Sequence, residues 1–217
     1  MNGLALGIID AQRGFMAASE GVRLGVGGFG ELPVPDGEHI VPAVNLLLAA
    51  AATRGLFTFT TQDWHPVSTA HFSETPDFTA TWPVHCIGNT AGAELHPQLV
   101  VPGSTEAFRK GMEVLTKGED DLSYSGYYSV NAQGKSLGER LREGGAAEVV
   151  LGGLALDYCV GKTALDLRAK LGLDVAVAID ATRGIADESV AAMMRQFAQH
   201  DIQTTTTNAL LAQLGAA

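Results

Sequence analysis

The chain has 217 residues, 46% of them hydrophobic and 18% charged, which is enough apolar material for a substantial core and, by its length, for one domain spanning 1–217. No apolar run reaches the roughly 18 residues needed to cross a bilayer, so no membrane partner is expected. With 24 acidic against 14 basic side chains, the formal net charge of −10 opposes binding to nucleic acid or an anionic membrane, because phosphate recognition needs concentrated Lys and Arg.

The segment MNGLALGIIDAQRGF lacks the basic region of a secretory signal, so a cytoplasmic protein is expected. Within it, LALGII (4–9) is a continuous apolar run ending at Asp10, the pattern of a strand buried on both faces. Residues 16–39 are Gly-rich and read as irregular. Their GVGGFG (25–30) formally matches a dinucleotide fingerprint, but it sits inside a loop instead of joining a strand to a helix, and a lid or connection is expected there. A helix over 40–54 and a strand LFTFTT (56–61) follow, then a second long irregular stretch, 62–104, rich in Pro, His and Thr. Loops of this length in a compact domain are usually functional or disordered. TEAFR (105–109) is a weaker strand, 136–143 a helix, AEVVLGG (147–153) a strand and 159–171 a helix. DVAVAID (174–180) is a strand, 187–199 a helix, and DIQTTTT (201–207) a last strand before a short helix from Asn208.

Strands alternating with helices predict a doubly wound α/β domain, with a mostly parallel six-stranded sheet and helices on both faces. Ligands in such sheets bind beyond the carboxyl ends of the strands, where Asp10, Asp63, Lys110 and the segment before Cys159 fall.

The stretch TQDWHPVSTAHFSETPDFTATWPVHC (61–86) holds three of the six histidines in the chain. Asp63 and His65 are two apart just after a strand, so their side chains point to the same side, and His71 and His85 reach the same spot from the following loop. One carboxylate and three imidazoles suit a divalent Zn, Fe or Mn, with half-exposed loop histidines as the alternative. His96, in LHP, reads as structural. Cys159 begins the helix DYCVGKTALDLRAKLG, where the helix terminus favours a thiolate nucleophile; the alternative is a small buried hydrophobe. Asp10 can take the thiol proton, and a lysine at the end of the third strand supports both charged forms. A cap or turn at Asp10 and a surface lysine at 110 are the plain alternatives.

These residues resemble the nicotinamidase branch of the isochorismatase-like cysteine hydrolases. The resemblance covers nearly the whole chain, in order: IIDAQRGF, DWHPVSTAHF…WPVHC, FRKG, YSGY and GLALDYCVGKTALD. It implies Asp10 as general base, Lys110 as stabilising cation and Cys159 as nucleophile, with Asp63, His65, His71 and His85 holding one divalent metal ion per chain. It also implies a cis Leu154–Ala155 peptide that turns the Ala155 amide toward an oxyanion hole completed by the Cys159 amide. Phe15, Trp82, Tyr124 and Leu154 are implied around the substrate. The activity implied is hydrolysis of nicotinamide to nicotinate and ammonia in NAD salvage, through a cysteine thioester, with the metal positioning the pyridine ring and pyrazinamide as a second substrate. Other hydrolases of this fold and a non-catalytic metal-binding protein are the rival readings, and a homo-oligomer is left open. Three features depart from the family pattern: Arg13 and Gly14 replace a common Asn-Asp pair, residues 17–30 are longer than usual, and Lys117 offers a second Lys-Gly pair after Lys110.

Overall fold

The structure is a computed structural model that describes residues 3–113 and 124–215. Six strands, β1 (Leu4–Ile9), β2 (Phe57–Asp63), β3 (Glu106–Lys110), β4 (Glu148–Leu154), β5 (Asp174–Arg183) and β6 (Gln203–Thr205), form one sheet in the order β3-β2-β1-β4-β5-β6. Every pairing is parallel. Parallel neighbours need crossovers, and among the described residues helices α1 (Ala18–Leu24), α2 (Val41–Thr53), α3 (Leu137–Glu143), α4 (Gly161–Leu171) and α5 (Asp187–Gln199) lie on them, while α6 (Thr207–Gln213) follows the last strand.

The core divides along the pleat. In β1, Ala5 and Ile9 face one way and Leu6 and Ile8 the other, as the two-residue repeat of a strand requires. Leu6 and Ile8 pack with Val44, Leu47 and Leu48 of α2 and Leu210 of α6. Ala5 and Ile9 join Leu141 of α3, Ala164 and Leu167 of α4, and Met193 and Phe197 of α5. Both faces of the sheet are therefore dry, which explains why its strands read as continuous apolar runs.

Three boundaries differ from the expectation. Residues 18–24 form α1, followed by an αL Gly25, although the Gly content of 16–39 read as irregular. β5 runs to Arg183 instead of ending at 180, and β6 is cut to Gln203–Thr205 because Thr206 caps α6, accepting from the Ala209 amide. Cys159 lies in a separate π turn, Leu156–Val160, that precedes α4.

The strand order reverses between β1 and β4, and both strands deliver their carboxyl ends to the same edge. That edge is where a crevice opens in a doubly wound sheet.

Candidate active site and metal centre

Asp10 follows β1 directly and is fully buried in a left-handed conformation (φ 45°). Its amide donates to Thr61 O at 3.1 Å, and Thr61 Oγ1 donates to its Oδ1 at 2.7 Å, so β2 fixes the carboxylate. Asp63 and Lys110 are register partners at the ends of β2 and β3. The Lys110 ammonium pairs with Asp63 Oδ1 and lies 2.9 Å from Asp10 Oδ2 and 3.4 Å from Cys159 Sγ. Among the described residues Asp10 Oδ2 makes no hydrogen bond; it faces the Lys110 charge and lies close enough to the thiol to accept its proton.

Burial pushes the Asp10 carboxyl upward, Lys110 opposes this, and the neighbouring Asp63 charge adds to it; the net shift is up. Burial acts the same way on Asp63, but the Lys110 ammonium and nearby His65 outweigh it, and Asp63 stays ionised well below the usual carboxylate range. Lys110 loses by burial and gains more from Asp10, Asp63 and Cys159, so it remains charged. The Cys159 thiol is raised by burial more than Lys110 lowers it. This corrects the expectation of a helix-lowered thiolate. The resting group is a protonated thiol whose proton needs an acceptor, and Asp10 is placed to be one.

Beside this quartet the loop after β2 gathers three imidazoles. Ligand atoms of His65, His71 and His85 lie within 4.8 Å of one another, and all three residues are buried. His65 Nδ1 lies 3.0 Å from Gly111 O and His85 Nδ1 lies 2.8 Å from Pro83 O. A carbonyl only accepts, so both rings carry hydrogen on Nδ1 and leave Nε2 as the atom able to bind an ion. His65 Nε2 is buried with no hydrogen-bond partner, a costly arrangement in a site without an electrophile. Burial, with His65 close by, lowers His85 to about 3, so it is neutral at ordinary pH. Asp63 Oδ2 sits 3.8 Å from His65 Nε2. Neutral imidazoles oriented through Nδ1, with one carboxylate edge, fit a borderline divalent ion. Asp63 falls outside the tight three-histidine group and clusters with Asp10 and Cys159, so it belongs to both halves of the site.

One pocket of about 430 Å³, counting its open mouth, joins the two halves. Cys159, Ala155, Asp63, His71 and His85 line it together with Phe15, Trp82 and Tyr124. Trp82 Nε1 donates to the Tyr124 hydroxyl at 2.7 Å and the Phe15 ring lies 5.4 Å from that of His85. The Leu154–Ala155 peptide is cis. Leu154 itself does not line the pocket: its side chain is fully buried in the core on the α2 side, and Ala155 is the pocket-facing member of that pair. Sequence reasoning did not single out Leu32, Val34, Tyr158 or Ile185, which complete the wall. Tyr158 was legible as the neighbour of Cys159; the others carry no chemistry that marks them. His96 is buried elsewhere, with Nε2 3.1 Å from Glu20 Oε1, and ties α1 to the chain beyond β2. Lys117, with Glu119, Asp120 and Asp121, lies outside the described residues.

A buried cysteine with a carboxylate and an ammonium, at the switch point of a parallel sheet, is the equipment of nucleophilic cysteine catalysis. The chain belongs to the isochorismatase domain family, which matches residues 5–209. It is 37% identical over 190 residues to the nicotinamidase/pyrazinamidase of Mycobacterium tuberculosis, covering 87% of this chain and 91% of that one. A pyrazinamidase of Pyrococcus horikoshii in complex with zinc superposes with a TM-score of 0.75 at 31% identity, covering 94% and 99% of the two chains. PnC1 from L. infantum in complex with nicotinate superposes at 0.73 with 30% identity, covering 95% and 93%.

Proposed function

We propose that this protein is a metal-dependent amidase that hydrolyses nicotinamide to nicotinate and ammonia, and that it also accepts pyrazinamide. The observation that carries the reading is the single aromatic pocket shared by Cys159 and the histidine cluster. Relatives whose names specify nicotinamidase or pyrazinamidase support it, as does a neighbour holding nicotinate.

In this reading the open Oδ2 of Asp10 takes the proton from Cys159 Sγ, and the Lys110 ammonium stabilises the thiolate as it forms. The sulfur attacks the carboxamide carbon, making a C–S bond and pushing the carbonyl electron pair onto oxygen. The amides of Ala155 and Cys159 receive that oxyanion. Asp10 returns its proton to the nitrogen, the C–N bond breaks and ammonia leaves, with a thioester on Cys159. Asp10 then takes a proton from water, the hydroxide adds to the thioester carbon, and collapse releases the acid and the thiolate, which recovers the proton. His65, His71, His85 and Asp63 would hold a divalent ion, which when bound would supply a Lewis acid to anchor the ring nitrogen. Phe15, Trp82 and Tyr124 flank the ring and exclude water. The protein is expected to act in the cytoplasm, and among the described residues no helix is long and apolar enough to cross a membrane.

Ammonia release from nicotinamide, measured with and without a chelator, tests the reading. Turnover that the chelator abolishes and added Zn, Fe or Mn restores is expected. Turnover unaffected by metal removal would take the ion out of the reaction, and no turnover of any carboxamide would leave a metal-binding protein.

A further inference from the structure

At Gly14, one of the positions where the chain departs from the family pattern, the backbone meets the side chain of Glu31. Residues 30–34 run back along 14–16: Gly30 N donates to Met16 O, Leu32 N to Gly14 O and Val34 N to Phe15 O, each at 2.9 Å. Leu32 and Val34 face the pocket, and Glu31, one residue before Leu32, points the other way, as alternation along an extended segment dictates. There its Oε2 accepts the amide of Cys86 at 2.7 Å.

That amide belongs to the peptide bond that follows His85. Cys86 is buried in a left-handed conformation (φ 45°), and its carbonyl accepts from His65 N at 3.0 Å. Among the described residues the Cys86 amide donates to no carbonyl, so without Glu31 a buried donor would be left unpaired. Two missing side chains admit the carboxylate. A Cβ at Gly92 would stand 2.1 Å from Glu31 Oε2, and one at Gly14 would stand 2.9 Å from the same oxygen and 2.9 Å from Cys86 Sγ.

We propose that Glu31 is a positioning residue for the metal centre: its carboxylate fixes the His85–Cys86 peptide, and through it the direction of the His85 and His65 ligand atoms. This rests on the reading of His65, His71 and His85 as metal ligands, so the test carries a readout that needs no metal.

Two quantities are measured on the full chain: hydrogen exchange of the Cys86 amide in metal-free protein, and Zn affinity by competition with a chromophoric chelator. Glu31→Ala should expose the amide to exchange and weaken Zn by about 10- to 100-fold, the usual loss when a residue supporting a metal ligand is removed. Glu31→Gln keeps an acceptor oxygen and should stay close to the parent in both. Gly14→Asp alone should clash with Glu31, whereas Gly14→Asp combined with Glu31→Ala should recover protection and affinity, because the carboxylate then comes from its other side. Parent-like exchange and affinity in Glu31→Ala would overturn the proposal. So would a Glu31→Gln variant as impaired as the alanine, which would point to charge in place of the hydrogen bond, and so would a double variant that recovers neither quantity. A parent that binds no Zn would end the metal reading, and the exchange data would still decide whether Glu31 holds this peptide.

Discussion

Cys86 is fully buried and Cys159 is buried at the pocket wall, burial pushes both thiols up, and their neighbours separate them. Cys159 has an ammonium at 3.4 Å and an open carboxylate oxygen nearby; Cys86 Sγ has a carbonyl, Gly92 O, at 3.6 Å. Replacing Cys159 by Ala should therefore abolish ammonia release while leaving bound metal unchanged, and replacing Cys86 by Ala should leave much of the rate. Equal inactivation of two folded variants would assign the chemistry to the wrong sulfur. Lys110 joins two carboxylates and the thiol, and losing one member of such a buried charge group costs about 3–5 kcal/mol. Lys110→Ala should lower the maximal rate by orders of magnitude and stability by roughly that amount, read by steady-state kinetics and urea unfolding. Asp10 and Lys110 stood out in the sequence as candidates because each sits at the carboxyl end of a strand, where a rigid backbone aims a polar group into a crevice, and Cys159 because it opens a helical pattern. What could not be read was the state of the thiol, since a helix start and deep burial push it in opposite directions and only the structure shows which is stronger.

Among the elements, the π turn Leu156–Val160 carries the nucleophile, and Asp157 anchors it to α5. Its carboxylate accepts from the amides of Ile185 at 3.0 Å and Ala186 at 3.3 Å, and from Ser189 Oγ at 2.5 Å. An acid at the start of α5 also suits the helix dipole. Asp157→Ala removes the acceptor of three part-buried donors, which costs about 1 kcal/mol, and it loosens Ile185, a pocket wall residue. A lower denaturation midpoint together with a raised KM is expected, and an unchanged KM would separate Asp157 from the pocket. The strands were visible in the sequence because a sheet dry on both faces writes itself as Val, Ile, Leu and Ala runs. α1 was hidden: ASEGVRL contains a glycine, flanks others, and keeps Glu20 buried through Arg23 and His96 instead of an apolar stripe. The π turn was invisible as well, because its conformation is set by where β4 must hand over to α4 and not by any local residue preference.

Over the whole molecule, the buried charges set the pH limits and the metal sets the stability within them. Asp63 has a folded pKa below its ordinary 3.8, so its contribution is present above that value and lost as pH falls below it. Lys110 has a folded pKa above its ordinary 10.5, so its contribution is complete below that value and lost as pH rises through the folded one. Between these limits the three histidines form a site that exists only in the folded chain, since loops after β2 bring His65, His71 and His85 together from well-separated positions. An ion that binds the folded state alone stabilises it by about 2.7 kcal/mol when present at 100 times its dissociation constant. For a domain of this size each kcal/mol is worth roughly 2–4 °C, so the melting temperature should rise by about 5–10 °C on saturation. Calorimetry of chelator-treated protein, titrated with Zn near pH 7.5, measures this directly. His71→Ala, which removes one ligand without touching the Asp10, Lys110 and Cys159 group, should lose most of the rise. The same titration near pH 3 should give a smaller rise, because protons then compete for His85, whose pKa is about 3. A melting temperature indifferent to Zn at both pH values would mean that the histidine cluster is held together by its own packing and not for a metal.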